Sequence, residues 1–280
     1  MSEPRALLRE AIQRLRVAGV PSPEYDARVL LAHALEVDLG RLPLIEDLAP
    51  EPAARFADLV ARRSQRIPLQ HLTGVAHFRT ITVAVGPGVF TPRPETELLA
   101  GWAIERAREC PAPVVVDLCT GSGAIARAIA AEVPDAQVHA VELDPEAYVW
   151  AQRNLTGTGV ALSEGDLAQA LPELDAQVDV VVCNPPYVPL TAFDGVDQEA
   201  REHDPALALF SGSDGLAAMR ALEGRAARLL KPGGWLGAEH ADVQGESAPA
   251  IFASTGNWTQ VRDHPDLAGR ARFVTARLAR

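Results

Sequence analysis

The first quarter of the chain carries hydrophobic residues at helical spacing. One apolar face recurs every three or four positions and consists of Leu7, Leu8, Ala11, Ile12 and Leu15. Gly19 and Pro21 end that segment, and Ser22 is a residue type that caps a following helix. A further helical face is formed by Phe56, Leu59, Val60 and Arg63. We therefore predict a small all-helical domain over residues 1–75. Contact with a partner is one role for the basic run at 62–66, but we interpret it as a solvated helix face.

The period of the hydrophobic residues then changes to two. Between Leu69 and Phe90, polar or small residues alternate with Phe78, Ile81, Val83 and Val85. Gly74 and the Gly-Pro-Gly sequence at 86–88 mark turns. This pattern predicts a β-hairpin, which we assign to residues 76–90 as a connector between two domains.

In the remainder of the chain, short apolar runs alternate with helical patterns. The predicted strands are 114–118, 137–143, 160–164, 178–183, 235–239, 258–261 and 272–278. A Lys-Pro-Gly-Gly sequence at 231–234 is interpreted as the turn before the fifth of these strands. Alternation of strands and helices is typical of a parallel sheet covered by helices. Residues 91–280 are therefore predicted to form an α/β domain with a Rossmann-like, mostly parallel seven-stranded sheet.

The fourth predicted strand, Val178–Cys183, leads directly into Asn184, Pro185, Pro186 and Tyr187. Prolines lack an N–H and restrict the residue before them, so the chain must leave the sheet as a rigid loop. Ligands of open α/β sheets bind at this carboxyl end of the strands. The side-chain carbonyl of Asn184 and the backbone carbonyl of Pro185 are two acceptors, which suit the two hydrogens of an –NH2 group. Tyr187 offers a flat face to a planar amide or base, although an incidental Pro-Pro turn is the simpler alternative.

Composition limits the class of protein. The chain is 48% hydrophobic but contains no apolar run of the ~20 residues that a membrane span needs. Its N-terminal sequence lacks the apolar region of a signal peptide, so we expect a soluble, cytoplasmic protein. The net charge of −11 argues against a dedicated nucleic-acid-binding protein. Three widely spaced cysteines indicate neither a disulfide framework nor a zinc site, and no metal is expected.

A glycine-rich loop indicates a nucleotide cofactor. Gly121–Ala126 matches the pattern G-x-G-x-x-A, and Glu142 lies about 20 residues further on, as in dinucleotide-binding folds. Asp117, at the end of the first strand of the α/β domain, favours a different ligand. A carboxylate is unfavourable beside a pyrophosphate but favourable beside the ammonium and sulfonium groups of S-adenosylmethionine. We therefore expect this cofactor, with Glu142 accepting from both ribose hydroxyls.

The adenine end of the cofactor is assigned to Asp166 and Leu167, which follow the third predicted strand. Asp166 would accept a hydrogen bond from the adenine amino group, and Leu167 would pack on the ring. Capping a helix and filling the core remain alternative roles for these two residues.

Taken together, Thr91–Glu97, Asp117–Gly123, Glu142 and Asn184–Tyr187 closely resemble one family. It is the protein-glutamine N5-methyltransferase that modifies peptide chain release factors, the PrmC/HemK type. Supporting matches are Gln70–Gly74, Ala208–Gly212, Glu239 and Gln244. Cys119 departs from this pattern, because a glycine is common there, and the loop backbone must be compatible with a Cβ at this position.

The resemblance implies a class I methyltransferase that transfers a methyl group to the glutamine of a Gly-Gly-Gln motif in class 1 release factors. It implies catalytic roles for Asn184, Pro185 and Tyr187, and substrate binding by these residues with Pro186 and Arg93. The residues implied in cofactor binding are Asp117, Cys119, Thr120, Gly121, Ser122, Gly123, Glu142, Asp166, Leu167 and Asn184. The helical domain is expected to recognise the protein substrate.

Two other functions compete with this one. Asn-Pro-Pro-Tyr also occurs in adenine-N6 DNA methyltransferases and in the ribosomal-protein glutamine methyltransferase, whereas the Thr91–Glu97 motif is far more specific. The acidic composition and the lack of a basic segment argue against a nucleic-acid substrate. A non-catalytic nucleotide-binding module would have no reason to carry Asn184–Tyr187.

Overall fold

A computed structural model describes residues 3–279. Met1 and Ser2, part of the N-terminal sequence that lacks the apolar region of a signal peptide, lie outside the described residues. The helices are α1 Pro4–Val17, α2 Pro23–Leu35, α3 Pro50–Arg63, α4 Leu69–Thr73, α5 Thr96–Arg108, α6 Ala124–Glu132, α7 Pro145–Leu155, α8 Gln198–His203, α9 Ala206–Leu209, α10 Ala217–Leu229 and α11 Ser247–Ser254. The strands are β1 Val75–Phe78, β2 Ile81–Ala84, β3 Val114–Leu118, β4 Gln137–Glu142, β5 Ala161–Glu164, β6 Val178–Cys183, β7 Leu230–Glu239, β8 Trp258–Pro265 and β9 Ala271–Leu278.

The chain packs into two compact units. The first contains the residues up to Val75 together with Asp197–His203, and the second contains Ala76–Val196 and the residues from Asp204 onward. The hairpin β1–β2 belongs to the second unit, because Phe78 and Val83 are completely buried in its core. The inclusion of Asp197–His203 in the first unit was not predicted.

The first unit has the predicted helical character. Helices α1 to α4 surround an apolar core in which Leu15, Leu30 and Leu31 are fully buried. Helix α2 begins directly after Ser22 as expected, but the Ser22 side chain makes no capping hydrogen bond. Packing of the apolar faces therefore stabilises this unit more than its helix caps do.

The interpretation of 62–66 as a solvated helix face is wrong for Arg63 and Arg66. Arg63 is 3% exposed, and its Nε donates to Asp26 of α2 over 2.7 Å. Both arginines also donate to Glu199 of α8, each over 2.8 Å. Local periodicity could not predict these contacts, since Glu199 lies more than 130 residues further along the chain.

The second unit contains the predicted seven-stranded sheet, with strand order β5-β4-β3-β6-β7-β9-β8. Neighbouring strands from β5 to β7 are parallel, and β9 pairs antiparallel with both β7 and β8. The order reverses between β3 and β6, where the chain crosses from one half of the sheet to the other. Such a switch point creates a crevice at the carboxyl ends of the strands.

The central strands are buried on both faces, as their continuous apolar sequences predicted. Val180 of β6 faces one core cluster with helices α5, α6 and α7, whereas Val181 faces another with α10 and α11. Residues 231–234, predicted as a turn, lie within β7 but interrupt its pairing with β6. Leu230 pairs with Val178 and Trp235 with Val180, and Gly233 between them has a φ of 81°. Within residues 3–279, no helix has the length and apolar character required to cross a lipid bilayer.

The ion pair between Arg63 and Asp26 gives a stability prediction. Replacing Arg63 by alanine should lower the free energy of unfolding by about 3–5 kcal/mol, because it leaves Asp26 buried without its cation. Arg62→Ala is the matched control: this neighbouring side chain is 47% exposed, and its loss should change stability by less than about 0.5 kcal/mol. Urea denaturation followed by circular dichroism measures both, and equal effects would contradict the assignment.

Candidate active site

A cavity in the second unit opens at the carboxyl ends of β3, β4, β5 and β6. The predicted site residues that line it are Cys119, Thr120, Gly121, Ser122, Glu142, Asp166, Leu167, Asn184, Pro186 and Tyr187. Its apolar wall includes Phe78, Phe90, Ile125 and Leu143. The structure therefore brings most of the predicted residues around one space, whereas Arg93, Asp117, Gly123 and Pro185 do not line it.

Glu142, the last residue of β4, is 8% exposed and lines the cavity. Its Oε2 accepts from the backbone N–H of Gly121 over 2.7 Å, and its Oε1 accepts from those of Leu143 and Asp144 over 2.9 Å. Burial raises the pKa of Glu142, while these three hydrogen bonds lower it. A carboxylate has about four acceptor positions, so Glu142 can accept from one ligand hydroxyl without losing a backbone partner.

Asp117 lies behind the glycine-rich loop and is completely buried. Its Oδ2 accepts from the Thr120 hydroxyl over 2.6 Å and from the N–H of Ala126 over 3.1 Å, so it holds both ends of the loop. Its Oδ1 is buried without a hydrogen-bond partner among the described residues. Burial raises the pKa of Asp117 to about 7, and a nearby cation would favour the ionised form.

The loop backbone makes two turns that suit glycine. Gly121 and Gly123 have φ of 56° and 82°, and a Cβ on Gly123 would lie only 3.0 Å from Leu155. Cys119 also has a positive φ, 59°, although it carries a Cβ. The loop accommodates the Cβ of Cys119 in a conformation that glycine favours, at a cost of about 1–2 kcal/mol.

Asp166 and Leu167 line the cavity beyond β5. The Oδ1 atom of Asp166 accepts from the N–H of Ala168 over 2.9 Å, so this carboxylate also stabilises its own turn. The half-exposed Leu143 lies on the cavity wall together with Leu167. Two leucines and a carboxylate oxygen are suitable partners for a purine ring with an amino group.

These features fit S-adenosylmethionine better than a dinucleotide. The unpartnered oxygen of Asp117 would repel a pyrophosphate but attract a cation. Glu142 offers an acceptor for a ribose hydroxyl, and the apolar wall suits adenine. Among residues 3–279, no three His, Cys, Asp or Glu side chains are placed to bind a metal ion.

Asn184 stands at the end of β6, opposite the first residue of α5. Its Nδ2 donates to the Thr96 hydroxyl over 3.4 Å, and Thr96 in turn donates to Oε2 of Glu239 over 2.7 Å. Thr96 and Glu239 are 3% and 1% exposed. Both residues occur in the motifs that carry the family resemblance, but their position behind Asn184 was not predicted. The pairing of β6 with β7 brings Glu239 there, and Thr96 comes from the start of α5.

Tyr187 is anchored at both its hydroxyl and its backbone. The hydroxyl donates to Oε1 of Glu239 over 3.1 Å, and the carbonyl accepts from Nε2 of Gln244 over 3.0 Å. Gly215 packs so closely that a Cβ there would lie 2.2 Å from the Tyr187 carbonyl. Burial, followed by the Glu239 carboxylate, raises the pKa of Tyr187, so its phenol stays protonated.

Arg93, predicted to bind substrate, makes an ion pair with Asp204. Its Nη2 lies 2.7 Å from Oδ2 of Asp204, and its guanidinium lies over the Phe90 ring. Asp204 directly precedes Pro205, which lines the cavity together with Leu207 and other residues of α9. Arg93 thus holds a wall of the cavity in place.

Family models match sequences in both units. The PrmC N-terminal domain matches residues 6–74, and the Methyltransferase domain matches residues 115–203. A solved methyltransferase structure from Pyrococcus furiosus, 18% identical, covers 70% of this chain and 87% of its own with a TM-score of 0.50. This likeness shows the fold.

The sequences of curated relatives align with nearly the whole chain. The release factor glutamine methyltransferase of Deinococcus radiodurans is 42% identical over 98% of both chains. The 4-amino-L-phenylalanine/4-methylamino-L-phenylalanine methyltransferase of Streptomyces pristinaespiralis is 43% identical over 92% of this chain and 90% of that protein. The release factor glutamine methyltransferase of Streptomyces coelicolor is 54% identical over 96% of both. This chain therefore belongs to the release factor glutamine methyltransferase family, and S-adenosylmethionine is its methyl donor.

Proposed function

We propose that this protein methylates the side-chain amide nitrogen, N5, of the glutamine in the Gly-Gly-Gln motif of class 1 peptide chain release factors. The observation that carries methyl transfer to an –NH2 group is the placement of Asn184. It lines the cavity with its amino group directed to Thr96, which leaves its carbonyl oxygen for a substrate –NH2. The names of the relatives from Streptomyces coelicolor and Deinococcus radiodurans support this substrate.

The corner after β6 can offer hydrogen-bond acceptors to a ligand, with no backbone donors that compete for them. Pro185 and Pro186 have no N–H, so the carbonyl of Pro185 and that of the Asn184 side chain have no backbone donor beside them. An amide nitrogen is a poor nucleophile because its lone pair is delocalised into the carbonyl. Accepting both of its hydrogens returns electron density to the nitrogen and fixes its direction of attack. Bound S-adenosylmethionine supplies an electrophilic methyl group.

Proton removal does not require a dedicated base in this scheme. The Tyr187 phenol stays protonated, and the Glu239 carboxylate is occupied by two hydroxyl donors. An N-methylated, protonated amide is a strong acid, so it loses its proton to water once the methyl group has been transferred.

The helical unit up to residue 75 is proposed to bind the folded release factor. A Gly-Gly-Gln segment offers few contacts, so selection of one glutamine needs a second surface. We assign the methyltransferase domain to the second unit, which includes the hairpin within residues 76–90 that was predicted as a connector. A translation factor as substrate implies a cytoplasmic location, and the net charge of −11 supports a protein rather than a nucleic-acid substrate.

A small aromatic amine is the second candidate substrate. The relative from Streptomyces pristinaespiralis is named for methylation of 4-amino-L-phenylalanine, and an arylamine also presents a planar –NH2 group. The same two acceptors would suit it, so this corner alone does not distinguish the candidates.

The cofactor assignment gives the second prediction. Glu142→Ala should weaken binding of S-adenosylmethionine and S-adenosylhomocysteine by about 1.5–3 kcal/mol, because hydrogen bonds to a charged group are lost. The control is Glu164→Ala, which removes an exposed glutamate paired in register with Glu142 on β5. Calorimetric titration measures both variants. Tighter binding of NAD than of S-adenosylhomocysteine to the unmodified protein would refute the assignment.

The third prediction concerns the amide-binding corner. Asn184→Ala should lower kcat by roughly 10²–10³, by analogy with removal of one preorganised polar partner. Asn184→Asp keeps an acceptor and should retain more activity. The exposed Asn257 provides a matched control, since Asn257→Ala changes the same residue type outside the cavity. Steady-state transfer of labelled methyl groups gives kcat, and a loss below about threefold in the alanine variant would exclude the two-acceptor mechanism.

The fourth prediction tests the substrate. Intact release factor should gain one methyl group on the glutamine of its Gly-Gly-Gln motif. A free Gly-Gly-Gln peptide and 4-amino-L-phenylalanine should react at least about 10²-fold more slowly at equal concentration, because docking raises the local concentration of the glutamine. Peptide mapping by mass spectrometry after a timed reaction measures all three.

Faster methylation of 4-amino-L-phenylalanine than of the intact factor would favour the second candidate. A variant that begins at Ala76 should lose most activity on the intact factor, and S-adenosylhomocysteine binding is the control for its folding. Full activity of that variant would refute substrate recognition by the helical unit.

A further inference from the structure

Glu239 lies behind the amide-binding corner and does not line the cavity. It is the last residue of β7, is 1% exposed, and receives two hydroxyl hydrogen bonds, from Thr96 over 2.7 Å and from Tyr187 over 3.1 Å. Thr96 also contacts Nδ2 of Asn184. One buried carboxylate therefore connects Thr96, which contacts Asn184, with the ring of Tyr187.

The number of available protons fixes the direction of these hydrogen bonds. An ionised carboxylate can only accept, whereas a threonine hydroxyl has one proton to donate. Thr96 gives that proton to Glu239, so towards Asn184 it can act only as an acceptor. The amino end of Asn184 must then face Thr96, and its carbonyl oxygen is left for the substrate.

Without the carboxylate, this direction would be lost. The Thr96 hydroxyl could then donate to the carbonyl of Asn184, and the two ends of an amide have nearly the same shape. A reversed Asn184 would present –NH2 to the –NH2 group of the substrate. One acceptor would be lost and two donors would face each other.

We propose that Glu239 is a positioning residue, which fixes the orientation of the Asn184 amide through Thr96 and holds the Tyr187 ring in place. The inference rests on the proposed function, because it requires a substrate that presents an –NH2 group to Asn184.

The charge of Glu239 should therefore affect the rate. Burial raises the pKa of Glu239, while the hydrogen bonds from Thr96 and Tyr187 and the charge of Arg272 on β9 lower it. Glu95, before α5, raises it, and the adjacent His240 is directed to Asp263. As the pH falls through this raised pKa, the carboxyl gains a proton that it can donate, and control of the Thr96 hydroxyl is lost. Activity should fall on the acid side.

The fifth prediction compares variants of the intact protein in the release factor assay. Glu239→Gln should lower kcat by roughly 10–100-fold, as expected for an unpaired polar group at the substrate, and should abolish the acid limb of the pH profile. The Kd for S-adenosylhomocysteine should stay within about twofold, because Glu239 does not line the cavity. Thr96→Ser should retain activity and Thr96→Val should lose it. Glu246→Gln, at an exposed glutamate beyond β7, is the control and should behave as wild type.

A double variant distinguishes orientation of the Asn184 amide by Glu239 from a general structural role of Glu239. Aspartate at position 184 has two equivalent oxygens and no donor end, so there is no amide orientation to fix. Glu239→Gln should then cost less than about threefold in the Asn184→Asp background, against roughly 10–100-fold in the wild type. Equal losses in both backgrounds, or an unchanged kcat for Glu239→Gln alone, would overturn the proposal. A wild-type protein that fails to methylate release factor would instead refute the proposed function.

Discussion

The site depends on carboxylates buried at the carboxyl ends of the central strands. Asp117 is the second-last residue of β3, whereas Glu142 and Glu239 are the last residues of β4 and β7, and each is at most 8% exposed. A buried carboxylate is stable only when donors surround it. Here the donors are the parts that must be placed. They are the Thr120 hydroxyl and the N–H of Ala126 for Asp117, three backbone N–H groups including that of Gly121 for Glu142, and two hydroxyls for Glu239. The requirement to satisfy these acceptors thus gives the cavity its shape.

At the prolines after Asn184, by contrast, the backbone supplies no hydrogen-bond donors. Two consecutive prolines remove backbone donors from the corner after β6, and the Thr96 hydroxyl directs the amino end of Asn184 away from the ligand. Under the proposed function, this arrangement suits a planar –NH2 group. The proposed function therefore assigns the choice of substrate to a surface outside this corner, namely that of the helical unit.

Several residues act through others. Arg93 holds Asp204 and thereby the segment that carries the α9 wall of the cavity. Arg63 and Arg66 hold α8 through Glu199. In each case a charged side chain interacts with a carboxylate from a distant part of the sequence, so neither periodicity nor a local motif could identify the partner. The interpretation of Arg63 and Arg66 as solvated followed from the exposure that arginine usually has, whereas substrate binding by Arg93 was implied by the family resemblance.

The sequence by itself determined the helical unit, the strands of the sheet and the residues at their carboxyl ends, because apolar periodicity and proline chemistry act locally. It also determined the cofactor, since Asp117, Glu142 and the glycine-rich loop lie within one stretch of the chain. Only the tertiary structure decided which of these residues face the ligand. Asp117 lies behind the loop, Glu142 keeps one acceptor position for a ligand, and Thr96 and Glu239 meet behind Asn184. These arrangements depend on which strands are neighbours and in what register, and pairing of β6 with β7 joins residues more than 50 positions apart.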